Sequence, residues 1–223
     1  LNPLAYDSYM SPVIECLKFS QLAPALSRIE TVPMVALSQV YATAYYDKGV
    51  DRIFFEVAEH KTSISRPRFC TMLGFAADPS RVNPETIPVG MLYSMFYNMG
   101  YTKVLTSVTR FKKSCLPPLW NGLFTVLFKG LSERSSGSDG ASRLFLSIMY
   151  GVYNGINLDY GFVLWQQLLQ SLSSTSRHSE VSLARFWILI TRWAMDRFDV
   201  PTADGASMSS IGTFHTKKII VSD

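Results

Sequence analysis

Apolar residues recur along most of this chain at the three- and four-residue spacing of helices that face a core, and proline and glycine punctuate them. Ser11-Pro12 predicts an N-cap followed by proline at the first helical position, opening a short helix through Phe19 that Pro24 keeps from extending. After Pro33, residues Met34, Leu37, Tyr41, Ala44 and Tyr45 share one helical face, and Gly49 suits its end. The pattern then changes. Arg52 to Val57 is β-branched and aromatic, Thr62 to Ser65 returns beside it, and Ala58 to Lys61 has the length of a hairpin connection. Two strands are marginal in water, so the hairpin must lean on helices. Ser65 caps a further short helix with Pro67 in its first turn and Gly74 just past its end.

Asp78 to Pro88 reads as an irregular crossing, and Met91 to Met99 as a helix closed by Gly100. Tyr101 to Cys115 has no period and is expected as loop, with a strand conceivable at Val104. The later half is clearer. Leu119, Leu123, Phe124, Leu127 and Leu131 define a helix whose polar stripe is Asn121, Thr125 and Lys129. A turn over Ser135 to Gly140 supplies the N-cap of a helix from Ala141 to Tyr153, stopped at Gly155. Asp159 opens Tyr160 to Leu172, with Leu164, Leu168 and Leu172 on one face and Gln166, Gln167 and Gln170 elsewhere. A last helix spans Val181 to Phe198, with Trp187, Ile190, Ala194 and Phe198 inward and Arg192 spaced to pair with Asp196. The expected fold is mainly α, a compact multi-helix domain with one small β-hairpin around residues 52–65. Its parts are a helical N-terminal region 1–49, the hairpin at 50–65, a helical core over 66–201 and a flexible tail over 202–223, whose one sticky run is Ile219-Ile220-Val221.

Composition narrows the class. Of the 223 residues, 48 % are hydrophobic and 17 % charged, the reverse of a disordered chain. A near-uncharged stretch, Leu144 to Trp165, has the length of a membrane span at about 20 residues. Gly151, Asn154, Gly155, Asn157 and Asp159 interrupt it, so it is expected as two core helices, with no membrane crossing. Cys16, Cys70 and Cys115 are far apart, and His60, His178 and His215 equally scattered, which supports neither a disulfide framework nor a zinc site. Reduced thiols and no signal sequence make an intracellular protein, cytoplasmic or nuclear, the expectation. The chain begins at Leu1 without an initiator methionine, so a fragment of a longer protein is expected.

Candidate chemistry is sparse. Asp139, Asp159 and Glu180 each fall at or beside an expected helix start, where a carboxylate accepts backbone N–H bonds; capping explains them without a metal. No nucleophile elbow and no phosphate-binding glycine loop occurs, so neither catalytic residues nor a cofactor or metal site are assigned. A net charge of +4 is mild, but no acid lies between Glu85 and Glu133, while Lys103, Arg110, Lys112, Lys113 and Lys129 do. Tyr101, Phe111 and Trp120 are interleaved with them, a mixture able to hold a phosphate backbone and stack bases. Those five cations are the candidate nucleic-acid site.

Several segments together carry a family resemblance: Tyr45-Tyr46-Asp47, Ser63-Ile64-Ser65-Arg66, Phe69-Cys70-x-x-Leu73-Gly74, Met95-Phe96-Tyr97-x-Met99-Gly100-Tyr101, Leu116 to Phe124, Ser132-Glu133-Arg134-x-x-Gly137-Ser138-Asp139, Asn157 to Gly161, and Arg177-His178-Ser179-Glu180-x-x-x-x-Arg185-Phe186-Trp187. Over roughly Tyr6 to Pro201 the chain resembles the plant transposon proteins abundant in composite-flowered plants, and the gag-like first reading frame of plant Gypsy-type retroelements. That resemblance implies a non-enzymatic, retroelement-derived protein with gag- or capsid-like self-association and RNA packaging, and brings no catalytic residues with it. The alternative is a nucleic-acid-binding module accessory to transposition. The expected partners are a second copy of the chain and RNA or DNA, with no small-molecule substrate. A zinc knuckle, a D-S/T-G protease motif and a Y-x-D-D polymerase motif are not in the sequence.

Overall fold

The computed structural model describes residues 10–28, 30–75, 77–132, 139–173, 180–181, 183–202, 206–210 and 219–220. The helices are α1 (Ser11–Lys18), α2 (Ala23–Ser27), α3 (Met34–Thr43), α4 (Arg66–Met72), α5 (Val89–Asn98), α6 (Pro118–Ser132), α7 (Arg143–Asn154), α8 (Tyr160–Leu172) and α9 (Ala184–Arg197). The strands are β1 (Thr31–Pro33), β2 (Tyr45–Asp47), β3 (Arg52–Val57), β4 (His60–Ser65), β5 (Glu180–Val181), β6 (Met208–Ser210) and β7 (Ile219–Ile220). The protein is mainly α, as expected, but its β content exceeds one hairpin. An antiparallel meander β2-β3-β4 stands beside two short ladders, β1 with β6 and β5 with β7.

Local chemistry explains where expectation and structure part. The third helix stops at Thr43 because Ala44 turns extended and Tyr45 pairs with Phe54 as the start of β2. Thr43 ties the helix end to the sheet by accepting the Glu56 N–H on its Oγ at 2.9 Å. The Tyr45 and Phe54 rings stack at 5.4 Å, and Gly49 serves the following turn, donating its N–H to Asp47 at 2.8 Å. Between β3 and β4 the connection tightens to Ala58 and Glu59. There the Gln39 side-chain amide binds both backbone groups of Ala58, at 2.6 and 2.9 Å. Ile53, Phe55 and Val57 alternate inward from β3 onto α3.

Other boundaries also shift. Ser11 is already helical, with Met10 in the cap position, and Pro24 sits inside the first turn of α2 instead of ending a helix. Val104 is exposed loop; the turns near it are short 3-10 segments at Val108–Arg110 and Lys113–Cys115. Most of the expected Ser135 to Gly140 turn lies outside the described residues, and Ser142 caps α7 by accepting the Phe145 N–H at 3.2 Å. The last helix begins at Ala184 after Leu183 enters the left-handed region, since Glu180 and Val181 are spent on a strand. Within the segment expected as a free tail, Met208–Ser210 pairs with β1 and Ile219–Ile220 with β5, giving the exposed backbone of each short strand a partner.

Buried residues from Met10 to Met195 form one core cluster. At one end α3 packs on α9 and the meander, with Tyr41 and Trp187 edge-to-face at 5.3 Å. Phe69 of α4 links Trp165 of α8 to Phe186 of α9 at 5.6 and 5.7 Å. At the other end Phe96, Tyr101, Phe111, Phe124, Phe128 and Phe145 join α5, α6 and α7. The apolar stretch that imitates a membrane span is broken as expected: Gly155 takes φ +62° after α7, and Asp159 caps α8 by accepting the Phe162 N–H at 2.9 Å. Among the described residues no helix is long and apolar enough to cross a membrane.

Candidate functional site

The expected basic segment folds as a loop laid over the aromatic end of the core. Lys103, Arg110 and Lys112 are exposed, and Lys113 and Lys129 half-buried. Two of the three rings expected among them are unavailable to bases: Phe111 is buried, and Tyr101 is buried with its hydroxyl accepting the Lys112 N–H at 2.8 Å. Trp120 packs against Tyr153 at 5.5 Å. Asp139 also reaches this loop. Its carboxylate accepts the Ser114 N–H and hydroxyl at 2.8 and 2.6 Å, while its carbonyl accepts the Lys113 N–H at 2.7 Å. The Ser114 hydroxyl, then the Ser114 N–H and the charges of Lys112 and Lys113, hold the Asp139 carboxyl below its ordinary range. So a carboxylate that the sequence places 25 residues away from Ser114 sits beside Lys112 and Lys113.

The acids considered for metal chemistry separate. Asp159 is the cap expected of it, Asp139 is not a cap but a loop tie, and Glu180 belongs to a strand. Asp196 pairs with Arg192 on α9 as its spacing predicts. Among the described residues no three His, Cys, Asp or Glu side chains gather where they would hold a metal. The three thiols are free: Cys16 exposed, Cys70 half-buried and Cys115 buried. Burial, with a smaller push from the Asp159 charge, raises Cys70 to about 11. At pH 8 its thiolate share is then about one in a thousand, and only the thiolate reacts. Iodoacetamide at that pH is expected to modify Cys16 first and alone in the folded protein, with Cys70 and Cys115 following only after denaturation; peptide mass mapping reads the order, and early labelling of Cys70 would contradict this burial.

Two surface features remain. The first is the outer face of α5, where Gly90, Met91, Ser94, Tyr97 and Asn98 are all exposed and α5 bears no charge along its length. Tyr97 is 82 % and Met91 51 % exposed, and the Tyr150 hydroxyl donates to the Met91 sulfur at 3.4 Å. The second is a recess of about 570 Å³ walled by the end of α1, the start of α6 and the junction of α7 with α8. Its rim is a polar clasp in which Gln21 donates to Asn157 at 2.9 Å, and Asn157 donates to Asp78 at 2.7 Å and Ser80 at 3.0 Å. Backbone bonds from Val82 to Asn157 and from Asp159 to Val82 fix that junction. Hydrogen bonds from Ser80 and Asn157 lower Asp78 to about 2, so the clasp keeps its charged form at any ordinary pH.

The recess was not visible in the sequence, because α1, α6 and α7 meet only through the fold. With this geometry in hand, comparison finds no matching protein family, curated protein or solved structure.

Proposed function

We propose that the chain is a non-enzymatic, retroelement-derived assembly protein of the gag type that associates with a second copy of itself. The motif segments quoted above support the origin, and the uncharged outer face of α5 carries the self-association. A solvated helix face ordinarily displays Lys, Glu or Arg, whereas this one offers a methionine and a tyrosine on a ten-residue helix without a single charge. Two chains of net charge +4 repel, and an uncharged face is where they meet at least cost. An isologous pairing about a two-fold axis lays one α5 across its mate and covers both copies of Tyr97 and Met91.

Size-exclusion chromatography with light scattering, run over a range of concentrations, tests this. Wild type is expected to rise above its 25.0 kDa monomer mass with concentration, and Tyr97→Glu to stay at the monomer mass with an unchanged circular dichroism spectrum. A wild-type chain that stays monomeric throughout, with and without RNA, sinks the proposal. The RNA arm also addresses the alternative, an accessory nucleic-acid module using Lys103, Arg110, Lys112, Lys113 and Lys129. Binding through several phosphates must weaken linearly in log affinity against log salt. Asp139 beside Lys112 and Lys113 and the burial of Tyr101 and Phe111 favour the assembly reading over that alternative.

A further inference from the structure

The recess between α1, α6 and the α7–α8 junction has a feature that packing alone does not require. Tyr160, the first residue of α8, is only 5 % exposed, yet its hydroxyl makes no hydrogen bond to any described residue and is open to the recess that Tyr160 lines. A hydroxyl that faces a recess without a protein partner is satisfied there by water or by a ligand. The hydroxyl points at the α7 wall, where a Cβ on Gly151 would lie 2.7 Å from it. Glycine at 151 thus makes the space in which this oxygen sits, and Tyr160 and Gly151 both line the recess.

The surrounding wall defines what fits. Trp120, Tyr153, Leu17, Leu123, Val152 and Ile156 supply broad apolar contact, and among the described residues no Asp, Glu, Lys, Arg or His lines the recess. A charged ligand would find no counter-charge on this wall, the Asp78 carboxylate behind the rim being taken up by Ser80 and Asn157, and would enter at a large desolvation cost. The volume of about 570 Å³ is that of a small-molecule site, too small for a folded partner. We propose that this recess binds a neutral, flat, largely apolar small molecule carrying a carbonyl oxygen, which accepts a hydrogen bond from the Tyr160 hydroxyl while its ring system lies against Trp120 and Tyr153. Burial pushes Tyr160 up to about 12, so the phenol keeps the proton it donates throughout the ordinary pH range. The site is separate from the α5 face, none of whose exposed residues lines it.

The neutral naphthyl ketone prodan is a direct probe, because its emission reports both the polarity around it and hydrogen bonding to its carbonyl. Titration into the full chain is expected to give saturable binding with one probe per chain and emission shifted to the blue of its value in water. Tyr160→Phe keeps the ring and removes the donor; it is expected to bind about fivefold more weakly, with emission shifted further to the blue. Val152→Arg, at a half-buried wall position that tolerates a long side chain, places a charge in the recess and is expected to abolish saturation. Its native circular dichroism spectrum is the check that the fold survives. Absence of saturable binding to wild type overturns the proposal. So does a Tyr160→Phe chain with wild-type affinity and emission, or undiminished binding to folded Val152→Arg.

Discussion

Replacing Trp187 with alanine is expected to lower the unfolding free energy by about 4 kcal/mol, the largest single-residue effect in this core. The indole is fully buried on α9, where that helix meets α3, and its ring stands edge-on to Tyr41 at 5.3 Å. Alanine removes the apolar area of two fused rings and leaves a cavity that two helices packed face to face cannot collapse into. Small domains hold about 5–15 kcal/mol in total, so the alanine chain should be marginal or unfolded at body temperature. The indole N–H gives a sharper test, since it has no hydrogen-bond partner among the described residues. Phenylalanine at 187 forfeits some area but no hydrogen bond and relieves a buried orphan donor, so its cost should be about 1 kcal/mol. Urea denaturation of the three chains reads both numbers. An alanine variant within about 1 kcal/mol of wild type would mean that this helix contact is not the seat of the core's stability.

How far such a core was legible depends on whether the determining contact is local. Gly74 and Gly100 were readable as helix ends because the capping bonds close within six residues. Phe75 donates to Cys70 and Gly74 to Thr71 after α4, and Tyr101 to Phe96 and Gly100 to Tyr97 after α5. The same holds for Asp159 at the head of α8, for the Arg192–Asp196 pair, and for Gly155 as the stop of α7. Where a distant group decides, the pattern misleads. Tyr45 keeps the helical spacing of Met34, Leu37 and Tyr41, but the backbone bonds to β3 and the ring of Phe54 outbid one more helical turn. Asp139 looks like a cap until Ser114, 25 residues away, claims both its oxygens. The basic segment reads as cations mixed with stacking rings because sequence does not say which way Tyr101 and Phe111 face; both turn inward. The recess left still less trace. Leu17, Trp120 and Tyr153 each look like ordinary core positions, and only the fold brings them to one wall.

Gly74→Ala is expected to cost about 3 kcal/mol, and Gly155→Ala about 1 kcal/mol, although both glycines end helices with positive φ, at +81° and +62°. The shared part is the left-handed backbone, which a Cβ disfavours by about 1–2 kcal/mol, partly offset because alanine narrows the unfolded ensemble. What separates them is the space around the new carbon. At Gly155 nothing lies within 4 Å, so the conformational penalty stands alone. At Gly74 the added Cβ falls 2.6 Å from Pro24 Cβ and 2.9 Å from its Cγ. Those atoms belong to a ring with a fixed φ in the first turn of α2, so the neighbour cannot rotate away. Relief requires α2 to move off α4. That movement also pulls on the Arg28 guanidinium, which donates to the Met72 carbonyl at 2.7 Å, and on the Ala25 and Arg28 carbonyls that receive the buried Arg185. The clash therefore spreads to the contact of α2 with α9, and a local side-chain adjustment will not absorb it. Denaturant midpoints of the two alanine variants, measured side by side, decide the matter. Equal losses would show that backbone strain alone governs both turns and that α2 yields freely, whereas a gap of about 2 kcal/mol would identify the Pro24–Gly74 contact as the point where the N-terminal helices are fixed to the core.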